Sequence, residues 1–102
     1  MRIDLSEAAL RDIQNIRRYT LRQWGSLQEE KYVNSVWTEF QKISANPENF
    51  RQRNDLFPEC RIAPVGSHII LFRVQMGLVQ IARVLHRAMD FKRHIPEDLR
   101  QP

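Results

Sequence analysis

The sequence predicts an α+β domain in which an N-terminal helical hairpin packs on one face of a small antiparallel sheet. Three observations predict it. Apolar residues recur at spacings of three and four over residues 9–24 and again over 33–43, the signature of two amphipathic helices. From Cys60 the pattern changes to β-branched and apolar runs cut by short turns. The 102 residues, 42% of them hydrophobic and 27% charged, make one ordinary domain (residues 1–102) and leave no room for a second.

Residues Arg2–Leu5 read as a possible short first strand. The first helix carries Ala9, Leu10, Ile13, Ile16, Tyr19 or Thr20, and Trp24 on its apolar face. Ser6 is its expected N-cap, with Leu5 and Leu10 at the two positions that form a hydrophobic staple. Gly25 ends it. Ser26-Leu27-Gln28-Glu29 then reads as an S-x-x-E capping box opening a second helix, whose apolar face is Val33, Val36, Trp37, Phe40 and Ile43. Asn46-Pro47 stops that helix, because proline disfavours the helical conformation in the residue before it. Trp24 and Trp37 are expected in the core. Residues 47–58 read as a loop. Three antiparallel strands follow at Cys60–Val65, His68–Gln75 and Leu78–Arg87. Gly66 suits a type II′ hairpin, and Met76-Gly77 is a less standard turn. Asp90–Arg100 is polar and interrupted by Pro96, which reads as a short turn or frayed tail.

Composition excludes several classes. The longest apolar run, Ile69–Phe72, is far short of the roughly 20 residues a membrane-spanning helix needs, and the N-terminus is charged where a secretory leader is apolar. The expected compartment is the cytoplasm. One cysteine, Cys60, excludes an internal disulfide and a cysteine-based zinc site, and it reads as a small strand residue. Gly-rich phosphate loops, paired-carboxylate motifs and metal-ligand spacings do not occur, so no cofactor and no metal is expected. The net charge of +4 lies wholly in residues 51–102, with nine Lys/Arg against five Asp/Glu, whereas residues 1–50 carry seven of each. That asymmetry points to an acidic partner.

Hairpins with two-residue loops set Ile62 opposite Leu71, Pro64 opposite Ile69, and Ile69 opposite Val84, on one face with Arg73, Gln80 and His86. The other face holds Ala63, Val65, Ile70, Phe72, Val74, Val79, Ile81 and Leu85, with Arg61, Arg83 and Arg87. Both faces are apolar, so both need cover, and two helices cover one. The face of Ile62, Ile69, Leu71 and Val84 is thus expected to be exposed and to bind a partner segment, the alternative being that loop 47–58 and the tail fold over it. Strand edges offer a second docking mode by strand addition.

The run Leu5-Ser6-Glu7-Ala8-Ala9 with Asp12-Ile13 and Ile16, the Trp24-Gly25 junction, Ile70-Leu71-Phe72-Arg73-Val74, and Arg83-Val84-Leu85-His86-Arg87 followed by Met89-Asp90 resemble the ParE toxins of bacterial toxin–antitoxin modules over residues 3–95. The resemblance implies a small α+β toxin of the RelE/ParE superfamily that poisons DNA gyrase when free. It also implies a cognate ParD-like antitoxin with a flexible C-terminal segment, and a toxin–antitoxin hetero-oligomer. The expected antitoxin-binding residues are Arg61, Ile62, Ile69, Leu71, Arg73, Arg83 and Arg87, the arginines pairing with partner carboxylates or else forming a solvated rim.

Other branches of the superfamily, RelE and YoeB, are ribosome-dependent messenger-RNA endonucleases, and such cleavage needs a base, an acid and a fixed cation. The resemblance puts Ile69 where the YoeB-like branch has an arginine, and His86-Arg87 where it has His-Tyr. RelE-like toxins carry a tyrosine in the tail, whereas this chain's tyrosines are Tyr19 and Tyr32. The chain is therefore expected to be a non-enzymatic inhibitor. The runner-up is a RelE-like nuclease with a relocated site of His86, Arg73 and Glu59, and a third reading, resting on the basic second half alone, is a small nucleic-acid-binding module. A structural strand-end role is the competing reading of His86; His68 and His94 carry no evident chemistry.

Overall fold

In the computed structural model, which describes residues 1–100, the chain runs β1 (Arg2–Leu5), α1 (Glu7–Trp24), α2 (Ser26–Ala45), β2 (Arg51–Gln52), β3 (Arg61–Val65), β4 (His68–Gln75) and β5 (Leu78–His86). Gln101 and Pro102, the end of the expected 1–102 domain, lie outside the described residues. Three 3-10 turns, Pro47–Asn49, Phe91–His94 and Glu97–Leu99, complete it. The strands form one sheet in the order β1-β5-β4-β3-β2, with β1 parallel to β5 and the other pairs antiparallel. This is the expected α+β architecture, and the short first strand is present.

Ser6 caps α1 by accepting the Ala9 N–H at 2.9 Å. Ala9, Ile13, Ile16 and Thr20 face the sheet, whereas Leu10 is half exposed. Trp24 is 70% exposed and Trp37 43%, so neither is the core residue expected. Their helical spacing is apolar, but both sit beyond the stripe that meets the sheet. The capping box at Ser26 does not form. Gly25, at φ 88°, turns the chain in a single residue and is itself the cap of α2; its carbonyl receives the Glu29 N–H, and the Glu29 carboxylate is 3.3 Å from Arg17 of α1.

Both hairpin turns have two residues, joining Val65 to His68 and Gln75 to Leu78. Gly66 has φ 55°, as a II′ turn requires, while Met76 and Gly77 both have positive φ (54° and 72°), which makes theirs a type I′ turn. The β4–β5 register is interrupted, because Phe72 pairs with Ile81 and Leu71 with Arg83, leaving Ala82 as an extra residue. That bulge corrects the expected faces. Ile69 lies opposite Leu85, not Val84. Val84 packs in the core against α1 and α2 with Ala63, Val65, Ile70, Phe72, Val79 and Ile81, and Leu85 packs in the core on the other face. His86 moves with this phase change to a place opposite His68.

The second face is not left open. Leu56, Phe57 and Cys60 from the loop, and Ile95 and Leu99 from the tail, bury Ile69, Leu71, Ala82 and Leu85, with Ile62 and Phe91 at the margin. The stretch read as a loop thus contributes a strand, β2, and the core residues Leu56 and Phe57, Cys60 lies just before β3 and not in it, and the stretch read as a frayed tail contributes two core residues. Arg53 and Asp55 hold the loop by two hydrogen bonds of 2.9 and 3.0 Å. Cys60, fully buried, has its thiol pushed up to about 12 by burial, so it is inert packing.

Gly66 is required twice, since a Cβ there would lie 2.6 Å from the Tyr32 ring at a backbone angle that side chains rarely adopt. Gly77 has the same kind of angle with nothing within 4 Å. Gly77→Ala should cost about 1–2 kcal/mol, the strain of the angle alone. Gly66→Ala should cost clearly more, by urea unfolding of the two variants side by side; equal losses would show that Tyr32 does not brace the turn.

Candidate functional site

β1 ends at Leu5, opposite Ile81, so beyond Ile81 the outer edge of β5 has no strand beside it, and Ser6 and α1 supply partners there. Ser6 donates its hydroxyl to the Ala82 carbonyl at 2.7 Å. Asp12 accepts the Val84 N–H at 2.9 Å and holds the Arg83 guanidinium in a bidentate pair at 2.7 and 2.8 Å. Arg83 also donates to the His94 carbonyl at 2.8 Å, which ties the tail to the same point. The pair is mostly withdrawn from solvent, with side chains 19% and 11% exposed, and the Asp12 hydrogen bonds raise the Arg83 pKa against the opposing effect of burial.

Beyond this point α1 and the end of β5 diverge around an open cleft of about 860 Å³. Tyr19 and Trp24 of α1 and Met89 after β5, all exposed, lie along it, and Ile16, Val84 and Leu85 contribute apolar lining. A polar cluster also lines it. The Tyr32 hydroxyl is 2.6 Å from His68 Nδ1, accepts the Ser67 N–H at 3.0 Å and donates toward the Val65 carbonyl at 3.2 Å, so α2 is tied to the β3–β4 turn. His86 stands edge-on to His68, with ring centroids 5.4 Å apart, and its Nδ1 accepts the Ala88 N–H at 3.1 Å. Burial, and then the neighbouring His86, push the His68 imidazole down to about 4.

The expected site residues are not gathered together. Ile69 and Leu71 are buried under the tail and loop, which corrects the expectation of an exposed patch: the 53–60 loop and the tail carry enough apolar residues to cover that face themselves. Ile62 is half-buried beside them. Arg61 donates to the Phe50 carbonyl at 2.6 Å, Arg73 to Gln80 at 2.9 Å, and Arg83 to Asp12. Arg87 is exposed and donates to the Gly66 carbonyl at 2.6 Å. Nor do the runner-up's residues converge. His86 lies opposite His68 and Arg73 opposite Gln80, about 17 Å apart along the strand. Glu59, with φ 64°, precedes β3, whose first residue pairs with Phe72, so it stands toward the Arg73 end. Sequence reading missed Asp12, Tyr32 and His68. The signal for Asp12 was a carboxylate beside the buried positions of an amphipathic helix; the other two carried none.

Two helices on a mostly antiparallel sheet are also the arrangement of solved chains from toxin–antitoxin systems. A chain of the chromosomal ParDE toxin–antitoxin system from P. aeruginosa shares the fold with a TM-score of 0.74 at 18% identity, over 84% of this chain and 95% of that one. A chain of the toxin–antitoxin complex RelBE2 from Mycobacterium tuberculosis does so with a TM-score of 0.57 at 21% identity, over 84% and 96%. The chain belongs to the ParE toxin family of type II toxin–antitoxin systems, whose family model matches residues 3–91. It is 33% identical to Toxin ParE1 of Mycobacterium tuberculosis over 92 residues, 89% of this chain and 94% of the relative. It is 27% identical to Toxin ParE of Escherichia coli over 97 residues, 94% of each.

Two outcomes follow from these contacts. Asp12→Ala would strand the Arg83 charge and the Val84 N–H together, and should destabilise the chain by about 3 kcal/mol in chemical denaturation; a loss typical of an exposed ion pair, under about 1 kcal/mol, would contradict it. His68 is held neutral in the fold, so its contribution is fully present above its ordinary 6.5 and is lost as pH falls from there toward about 4. His68→Gln should therefore flatten the decline in stability over that window relative to wild type, measured by unfolding at a series of pH values.

Proposed function

We propose that this chain is the toxin of a type II module that poisons DNA gyrase by binding, without catalysis of its own, in the cytoplasm, and is neutralised by a ParD-like antitoxin. The observation that carries the non-nuclease reading is the fate of the two positions that the nuclease branches use. Ile69 is buried beneath the chain's own tail, and Arg87 has its guanidinium on a turn carbonyl. Family membership and the similarity to curated ParE toxins support the toxin role, and solved relatives that are toxin–antitoxin systems support the partner. Poisoning needs only preferential binding to one gyrase conformation, such as the cleaved-DNA intermediate.

The antitoxin's place in this reading is the cleft between α1 and the end of β5. It offers exposed aromatic and methionine side chains of the kind that anchor interfaces, and Arg87 of the expected contact set stands exposed at the strand end. Arg83 belongs to the fold instead. The excess positive charge of residues 51–102 suits an acidic segment that orders on binding.

Purified chain should inhibit gyrase supercoiling and accumulate double-strand breaks, and should leave messenger RNA intact in a translating extract. His86→Ala should leave gyrase inhibition within about threefold of wild type, because an exposed side chain without a catalytic duty contributes little. Translation arrest with messenger cleavage by the wild type, lost in His86→Ala, would replace this reading with the RelE-like nuclease.

A further inference from the structure

Residues 1–50 are neutral as a whole, but their charges are sorted between the two helices. α1 carries Arg11, Arg17, Arg18 and Arg22 against Glu7 and Asp12, whereas α2 carries Glu29, Glu30 and Glu39 against Lys31 and Lys42. Asp12 is held by Arg83, and Arg17 is 3.3 Å from Glu29. Arg11, Arg18 and Arg22 remain. All three are exposed, and among the described residues none of them makes an ion pair. At 3.6 residues per turn, Arg18 and Arg22 come within about 20° of Arg11 around the helix axis, in a row about 16 Å long. The row stands opposite Ala9, Ile13, Ile16 and Thr20, which face the sheet. Exposed Gln14 and Asn15 fill the gap between Arg11 and Arg18, so the row is polar throughout. Glu7 lies one turn before Arg11 in the first turn of the helix, where a negative charge suits the helix dipole.

We propose that the row of Arg11, Arg18 and Arg22 on α1 is a docking surface for the phosphate backbone of duplex DNA, with Gln14 and Asn15 donating hydrogen bonds to the same strand. The row does nothing for the fold. Arg18 and Arg22 stand at i, i+4, where like charges weaken a helix. Its complement is a ligand with closely and regularly spaced negative charge. Phosphates rise about 3.4 Å apiece along one DNA strand, so a row of about 16 Å spans several of them. Arg, Asn and Gln are residues that contact phosphate oxygens, and such contacts position a duplex without reading its sequence. An acidic protein segment matches less well, because protein interfaces draw their energy from buried aromatic and apolar anchors and the row has none. The choice of a duplex over RNA rests on the reading of gyrase as the target, since that enzyme holds duplex DNA and the row would let the toxin grip enzyme and DNA together.

The test titrates free chain into a short fluorescently labelled duplex over a range of salt, with circular dichroism to check that each variant is folded. Three phosphate contacts should make the affinity fall about fortyfold from about 50 to about 200 mM salt, a logarithmic slope of about −3. Arg18→Gln should lessen that slope by about one, and the triple variant Arg11→Gln, Arg18→Gln, Arg22→Gln should bring it near zero. Arg17→Gln removes the same charge from the same helix but off the row, and should bind as wild type does. If it loses as much as Arg18→Gln, overall charge is responsible and the row is not a docking surface. The triple variant should also inhibit gyrase supercoiling more weakly. If it binds duplex and inhibits gyrase as wild type does, the row is wrong and the gyrase reading stands. If wild type leaves gyrase active but binds duplex with the row-dependent slope, the gyrase reading fails and the docking surface stands. Tighter binding to single-stranded RNA than to the duplex would overturn DNA as the occupant. So would a triple variant that loses the antitoxin while its duplex binding is unchanged, in favour of an acidic protein segment.

Discussion

Asp12 is the side chain on which the rest of the arrangement depends, because β1 stops at Leu5 and leaves the outer edge of β5 without a strand beyond Ile81. A strand edge with no neighbour leaves backbone groups unpaired, and a buried unpaired group costs about 1–3 kcal/mol. Here the missing partners come from α1, as the Ser6 hydroxyl on the Ala82 carbonyl and the Asp12 carboxylate on the Val84 N–H. Arg83 then neutralises Asp12 and reaches the His94 carbonyl, so α1, β5 and the tail meet in one network. The bulge also decides which way the last residues of β5 face. It sends Val84 to the helix side and Leu85 to the other, and it brings His86 opposite His68.

The sheet is apolar on both faces, and the chain covers both by itself. The helical hairpin covers one, and Leu56, Phe57, Cys60, Ile95 and Leu99 cover the other. A domain of this size buries a smaller fraction of its surface than a large one, so the loop and tail are needed as core and not as decoration. It follows that exposed apolar side chains have to be sought elsewhere. Apart from Met1, Leu10, Trp37 and Met76, they lie at the tip of the hairpin and along the cleft, at Tyr19, Leu21, Trp24, Leu27 and Met89.

Much of this was legible in the residues. The periods of α1 and α2, the Ser6 cap, the Asn46-Pro47 stop and the bounds of β4 all follow from local chemistry, which acts over a few residues and leaves a local trace. The bulge was not read, although Ile81 and Val84 stand three apart in a strand whose period is two. Phe91, Ile95 and Leu99 recur every four residues within a stretch that otherwise reads as polar, and that spacing was the trace of the tail's buried side. Trp24 and Trp37 misled because periodicity says which residues share a helix face and not how wide the stripe meeting the sheet is. The cluster of Tyr32, His68 and His86 joins α2 to two strands, and one-dimensional spacing cannot place residues brought together by tertiary packing.

The cleft between α1 and the end of β5 departs from the logic of the interior. Inside, hydrogen-bonding groups are matched: among the described residues, no buried side-chain nitrogen or oxygen lacks a partner. The arginines expected to reach outward, Arg61, Arg73 and Arg83, are engaged within the chain. The cleft inverts both patterns. Tryptophan is a residue that folding normally withdraws from water, yet Trp24 stands 70% exposed at the hairpin tip. His86 is exposed, and among the described residues only its Nδ1 takes a hydrogen bond. A surface that leaves its most valuable hydrophobic contacts unspent is unsuited to stabilising this chain alone. It is suited to an interface whose energy is gained only when a partner arrives, and such conditional stabilisation is what a toxin held in check by a bound protein requires.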